Sequence, residues 1–148
     1  MRTYEACTRD VVAAKRTCFL TDAALLMREN HVDSIVVLDE KNPRRPVGIV
    51  TDRDIVVEVV AEGLDPTNMT LGDIMNPALV TARDNDDTLA TLTLMRRTGV
   101  RRVPVVDASG QLTGIISLGD LLEVAGDALD DIVAAINTER SLELEYHG

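Results

Sequence analysis

Apolar residues in this chain fall into two kinds of run. Short, nearly unbroken ones of strand length occupy Ser34–Leu38, Val47–Val50, Arg102–Val106 and Leu112–Ile116. Others have helical spacing, as with Leu89, Leu92 and Met95 on one face of the segment Thr88–Thr98. Read in order, the pattern predicts a strand near Val11–Ala14, a helix over about Asp22–Asn30, a turn at His31, two strands, and a helix from about Asp52. The order then returns: a strand near Leu79–Ala82, the helix Thr88–Thr98 with Gly99 as its C-terminal cap, two strands, and a helix from about Leu118. This is an α+β architecture made of tandem β-α-β-β-α units.

The units also repeat as sequence. Residues 7–39 lie on residues 75–107, so that Val12, Leu26, Met27, Arg28, Val32, Val37 and Asp39 meet Val80, Leu94, Met95, Arg96, Val100, Val105 and Asp107. The first copy then carries extra residues in the polar turn around Glu40–Arg45, where an insertion is tolerated. Beyond it, Gly48-Ile49-Val50-Thr51-Asp52-Arg53-Asp54 returns as Gly114-Ile115-Ile116-Ser117-Leu118-Gly119-Asp120. The expected organisation is a first repeat over 5–62, a linker over 63–74 closed off by Gly63 and Pro66, and a second repeat over 75–126. An amphipathic C-terminal helix and tail follow over 127–148. Its residues Leu129, Ile132, Val133 and Ile136 have the i, i+3, i+4, i+7 spacing of a single apolar stripe. That stripe packs on its own domain or extends a dimer interface, and the last residues, from Glu143 on, are expected to be loose.

Composition narrows the function. Aromatics are only 2% of the chain, so the core is aliphatic and a planar ligand must lie between Val, Ile and Leu side chains. The net charge of −10 repels phosphate backbones and anionic membranes. Together these argue against nucleic acid as a partner, since single strands are bound on aromatics in basic grooves. The N-terminus does not read as a secretory signal, and no run of about 20 apolar residues is present. The expectation is a cytoplasmic protein with no membrane partner. Cys7 and Cys18 lack CxxC spacing and read as small, reduced core side chains. His31 and His147 are far apart and supply neither a triad nor a zinc set, so no catalytic residue and no metal ligand is assigned.

The chemistry sits in the repeated Gly-aliphatic-aliphatic-Thr/Ser-x-x-Asp motif. A hydroxyl followed three residues later by a carboxylate is first of all a helix capping box, and Thr70/Asp73 and Thr81/Asp84 share that bare spacing. Thr51/Asp54 and Ser117/Asp120 differ in standing at the end of an apolar strand and the start of a helix. A helix start offers free N–H groups to a phosphate. A carboxylate one turn inside can accept both hydroxyls of a ribose. Flanking cations differ between the copies: Arg53 lies inside the first motif, whereas Arg101 and Arg102 open the second repeat's central strand and form a candidate phosphate clamp.

The repeated unit, the strand Val100-Arg101-Arg102-Val103-Pro104-Val105-Val106-Asp107, both motifs in register and the linker Leu71-Gly72-Asp73-Ile74-Met75 resemble a cystathionine-β-synthase (CBS) domain pair, over about residues 5–126. The resemblance implies two repeats packed about a pseudo-twofold axis, sheets face to face, with ligand pockets in the cleft between them. It implies that Asp54 and Asp120 bind ribose, that Thr51 and Ser117 lie near ribose and phosphate, and that Ile49 and Ile115 pack on adenine. Val12, Val32, Val80 and Val100 would line the base pocket. The implied ligand is an adenosine compound (AMP, ADP, ATP, NAD or S-adenosylmethionine), with or without Mg²⁺, acting as a regulatory signal and not as an obligatory cofactor. A homodimer and an unidentified regulated protein are the implied partners.

From these readings the expected function is a ligand-sensing regulatory module, not an enzyme. The alternatives are a structural homodimerisation adaptor with vestigial pockets and a divalent-ion sensor. The pocket of the second motif, with Arg101, Arg102, Ser117 and Asp120, is the one expected to take a phosphorylated ligand.

Overall fold

The computed structural model describes residues 1–147. A short helix α1 (Thr3–Ala6) leads into β1 (Ala13–Lys15), α2 (Leu20–Asn30), β2 (Ser34–Leu38), β3 (Pro46–Thr51) and α3 (Asp52–Ile55). The last of these continues into a π-helical stretch, Val56–Val60. A 3₁₀ turn at Pro66–Asn68 and a short helix α4 (Leu71–Ile74) connect to β4 (Ala82–Arg83), α5 (Thr88–Thr98), β5 (Arg102–Val106), β6 (Leu112–Ser117) and α6 (Leu118–His147). Two three-stranded sheets result, ordered β1-β2-β3 and β4-β5-β6. In each, the first strand pairs in parallel with the second and the second antiparallel with the third.

Each repeat builds its own aliphatic core. Leu20, Ala23 and Met27 of α2 pack on Ile35, Val37 and Val50 in the first. Met95 packs with Ala82, Val103, Val105 and Ile116 in the second. Met27 and Met95 occupy equivalent places in the two cores. Fully burying one such side chain stabilises the fold by about 1.5–3 kcal/mol. Strand parity locates the second buried surface. Ile35 and Val37 point into the first core, yet Val36, on the opposite face, is also fully buried. Pro104 and Val106 repeat this in β5. Central strands buried on both faces mean that each sheet is covered by its helices on one side and by the other repeat on the other.

Two segments cross between the repeats. The N-terminus belongs by contact to the second one: the Thr3 N–H donates to the Asp86 carbonyl at 2.8 Å and its hydroxyl meets that of Thr91 at 2.8 Å in a buried bond. Thr8 and Ile115 exchange two backbone hydrogen bonds of 2.9 Å each. The linker packs reciprocally on the first repeat, where Leu71 is fully buried and its N–H donates to the Cys18 carbonyl.

Several boundaries differ from the sequence pattern for local reasons. Helix α2 starts at Leu20, before Asp22, because the linker's Met69 carbonyl accepts the Leu20 N–H that would otherwise be orphaned. The first strand of each repeat lies later than the apolar run suggests, since its ladder begins only opposite Val36 and Val105. Helix α6 is continuous through Gly126 to His147, so residues 143–147 are helical and not loose, while Gly148 lies outside the described residues. Its apolar stripe does not pack on its own domain: Leu129, Ile132, Val133 and Ile136 are 52–63% exposed.

Candidate functional site

Both Thr/Ser-x-x-Asp motifs fold as reciprocal capping boxes. Asp54 N–H donates to Thr51 Oγ1 at 3.1 Å, and Thr51 N–H donates to Asp54 Oδ2 at 2.9 Å. In the second copy the distances are 3.1 Å from Asp120 N–H to Ser117 Oγ and 2.8 Å from Ser117 N–H to Asp120 Oδ2. Each box pins the carboxylate against the strand end, with Oδ1 left over for a further partner. The look-alike Thr70/Asp73 only starts the short α4, and Thr81 precedes β4 and no helix. The spacing alone therefore does not distinguish a site from a cap.

What distinguishes them is the cleft. A cavity of about 480 Å³ is lined by Ile115, Ser117, Asp120 and Arg102 of the second repeat and by Thr8, Asp10, Val11, Val12, His31, Val32, Asp33 and Ser34 of the first. That volume is within the range of sites that hold a nucleoside-sized ligand. Ile115 and Ser117 share the face of β6 that looks across to the other repeat, while Gly114 and Ile116 are buried behind them. Val12 and Val32 supply the aliphatic part of the wall on the first repeat's side. Arg102 is directly opposite Ser117 in the β5–β6 ladder. Its guanidinium is tied to the carboxylate of Asp33 in the first repeat, so the bridge spans the cleft. Close by, burial raises the Cys7 thiol above its ordinary value, leaving a neutral side chain at that edge.

The expected site residues are thus distributed unevenly. Val12, Val32, Arg102, Ile115, Ser117 and Asp120 come together on one cavity, whereas Arg101 is exposed and outside its lining. Ile49, Thr51 and Asp54 hold the equivalent positions in the first repeat, with Arg53 exposed beside them, and Val80 and Val100 pack against the second core. They do not line this cavity. Thr8, Asp10 and Asp33 line it without a motif to announce them: Thr8 is placed by the N-terminal segment's pairing with Ile115, and Asp33, just before β2, by its bridge to Arg102.

The geometry of two capped motifs on twin sheets agrees with comparison to known proteins. The CBS domain family model matches residues 4–61 and again 71–127. The chain belongs to the CBS domain family. It is 32% identical to the CBS domain-containing protein YhcV of Bacillus subtilis, over 84% of this chain and 90% of that one. An uncharacterised protein of Methanopyrus kandleri, MK0525, is 36% identical over 81% of this chain, which spans only 60% of that relative's length. Among solved structures, the CBS domain protein PAE2072 from Pyrobaculum aerophilum, complexed with AMP, superposes with a TM-score of 0.76 at 33% identity, covering 85% of this chain and 99% of that one. This CBS pair contains no helix long and apolar enough to cross a membrane among its described residues. No group of three His, Cys, Asp or Glu side chains able to hold a metal ion occurs among them either.

Proposed function

We propose that this CBS pair is a regulatory module that binds an adenosine-containing small molecule at Ser117 and Asp120 and passes its occupancy on as a change in conformation or partner binding. The observation that carries the proposal is the shared cavity: Asp120 and Ser117 come from one repeat and Val12 and Val32 from the other. A ligand there touches both repeats, so its binding free energy depends on how they sit together. In this reading Asp120 Oδ1 accepts from the ribose, Val12, Val32 and Ile115 sandwich the base, and the ligand serves as a signal and not as a substrate. The AMP complex of PAE2072 supports the ligand class.

The exposed apolar stripe of α6 supports self-association as a homodimer. Leu118, Leu122, Leu129, Ile132 and Ile136 follow a 4-then-3 spacing through Ala125, and all five are exposed in the single chain.

Thermal unfolding with adenosine, AMP, ATP, NAD and S-adenosylmethionine, against guanosine controls, tests the binding role. A ligand at 100 times its dissociation constant adds about 2.7 kcal/mol to stability. A melting shift with an adenosine compound, lost in Asp120→Ala, is the expected result. Identical melting with every compound, from a protein that remains a dimer, would leave the structural adaptor as the better reading.

A further inference from the structure

Charge on the cavity wall narrows the ligand. The wall carries three carboxylates, Asp10, Asp33 and Asp120, against one arginine, Arg102, and one histidine, His31. That arginine is engaged by Asp33. Arg101 and Arg53, the other cations near the motifs, are exposed and outside the lining. The ladder puts Arg102 across from Ser117, within about 5 Å between Cβ atoms. In the nucleoside reading of this cavity, Arg102 is the arginine on the wall within reach of a 5′ substituent on a ribose held by Asp120 and Ser117. A phosphate at that point shares the Arg102 guanidinium with Asp33 or displaces it, and either way it faces Asp33 and Asp10 as like charges in a chain of net charge −10. A neutral or cationic substituent leaves the bridge intact and meets the carboxylates favourably.

We propose that Asp33 is a specificity-determining residue which offsets the charge of Arg102, so that the site prefers adenosine compounds with a neutral or cationic 5′ substituent over phosphorylated ones. This rests on the nucleoside reading of the same cavity. The side chains are 29% and 47% exposed, so the discrimination is partly screened and weakens with added salt.

The experiment is calorimetric titration of the wild type and Asp33→Asn with adenosine, 5′-amino-5′-deoxyadenosine and AMP at low ionic strength. In the wild type the amine binds at least about fivefold tighter than AMP, the effect of about 1 kcal/mol of charge interaction. In Asp33→Asn the AMP-to-amine ratio moves toward AMP by a similar factor and the AMP-to-adenosine ratio moves the same way, a pattern that a uniform loss of packing would not produce. AMP binding tighter than the amine in the wild type, or an unchanged ratio in a folded Asp33→Asn, overturns the filter and leaves the nucleoside site standing. Failure of all three compounds to bind either protein removes the site itself. The wild-type ratio alone decides the preference should Asp33→Asn not fold.

Discussion

The sulfur of Cys7 lies so close over Gly114 that a Cβ there would sit 2.6 Å from Sγ and 2.9 Å from the Thr8 carbonyl oxygen. This is the seam by which the N-terminus of one repeat is sewn to the last strand of the other. At the equivalent glycine, Gly48, a Cβ would meet the flexible end of Met75, 2.7 Å from Sδ.

The two glycines therefore predict unequal costs. Gly114→Ala forces backbone apart, and overpacking of this kind costs about 1–3 kcal/mol. Gly48→Ala is milder, since the Met75 side chain can swing aside. Denaturant unfolding of the two variants measures the difference. Equal losses would mean that the Thr8–Ile115 pairing yields as readily as a methionine rotamer. Because Thr8 and Ile115 both line the cavity, Gly114→Ala should also weaken the ligand.

Asp120 and Asp54 make the same local bonds but stand in different surroundings. Replacing either with Ala removes a capping partner, at about 0.5–2 kcal/mol. Only Asp120 lines the cavity. Asp120→Asn keeps an oxygen for the Ser117 N–H and removes the charge that accepts a ribose diol. Nucleotide titration should show ligand binding falling at least about tenfold in Asp120→Asn and unchanged in Asp54→Asn. Equal losses would place a second, equally strong site at Thr51 and Asp54.

The strands and helices were legible in the chain because strand-length apolar runs and a repeated motif fix them twice over. Ser34–Leu38, Arg102–Val106 and Thr88–Thr98 have the bounds their patterns imply. Ser117 and Asp120 are legible as chemistry, and the arginines beside them single out their pocket, but the contribution of Thr8, Asp10 and Asp33 to its wall is not. Thr70/Asp73 has the same spacing and no cleft. Asp33 carries no signature at all: its role comes from a bridge to a residue far away in sequence, which no local pattern encodes. The helix beyond residue 126 shows the other limit, since an amphipathic stripe says that something covers a face and not what does.

His31 and Gly99 end equivalent helices in the left-handed region, with φ of 53° and 72°. Glycine adopts it freely, while a residue with a Cβ is strained there by about 1–2 kcal/mol. His31→Gly should therefore raise thermal stability, and Gly99→His should lower it by a similar amount. Because His31 also lines the cavity, its replacement tests whether that strain is retained for the ligand: weaker binding by a more stable variant is the expected pairing. A fall in stability in His31→Gly would show that the imidazole makes contacts worth more than the relieved backbone.

Residues 127–147 of α6 are helical and exposed throughout, touching no core of their own chain. Helices in proteins owe most of their stability to packing of an apolar face, so an extended arm with this stripe calls for a partner helix. Ile132, at the centre of the stripe, is 56% exposed. A charge there costs the monomer little and disrupts a self-paired seam. Sedimentation velocity should find the wild type dimeric at micromolar concentration, and Ile132→Glu weakened by at least about tenfold, a loss typical of a central interface residue. Melting of the monomeric variant should then be independent of protein concentration, unlike that of the wild type. A dimer that survives Ile132→Glu would move the interface to the exposed valines Val56 and Val60, whereas a monomeric wild type would leave α6 as a surface for a different protein.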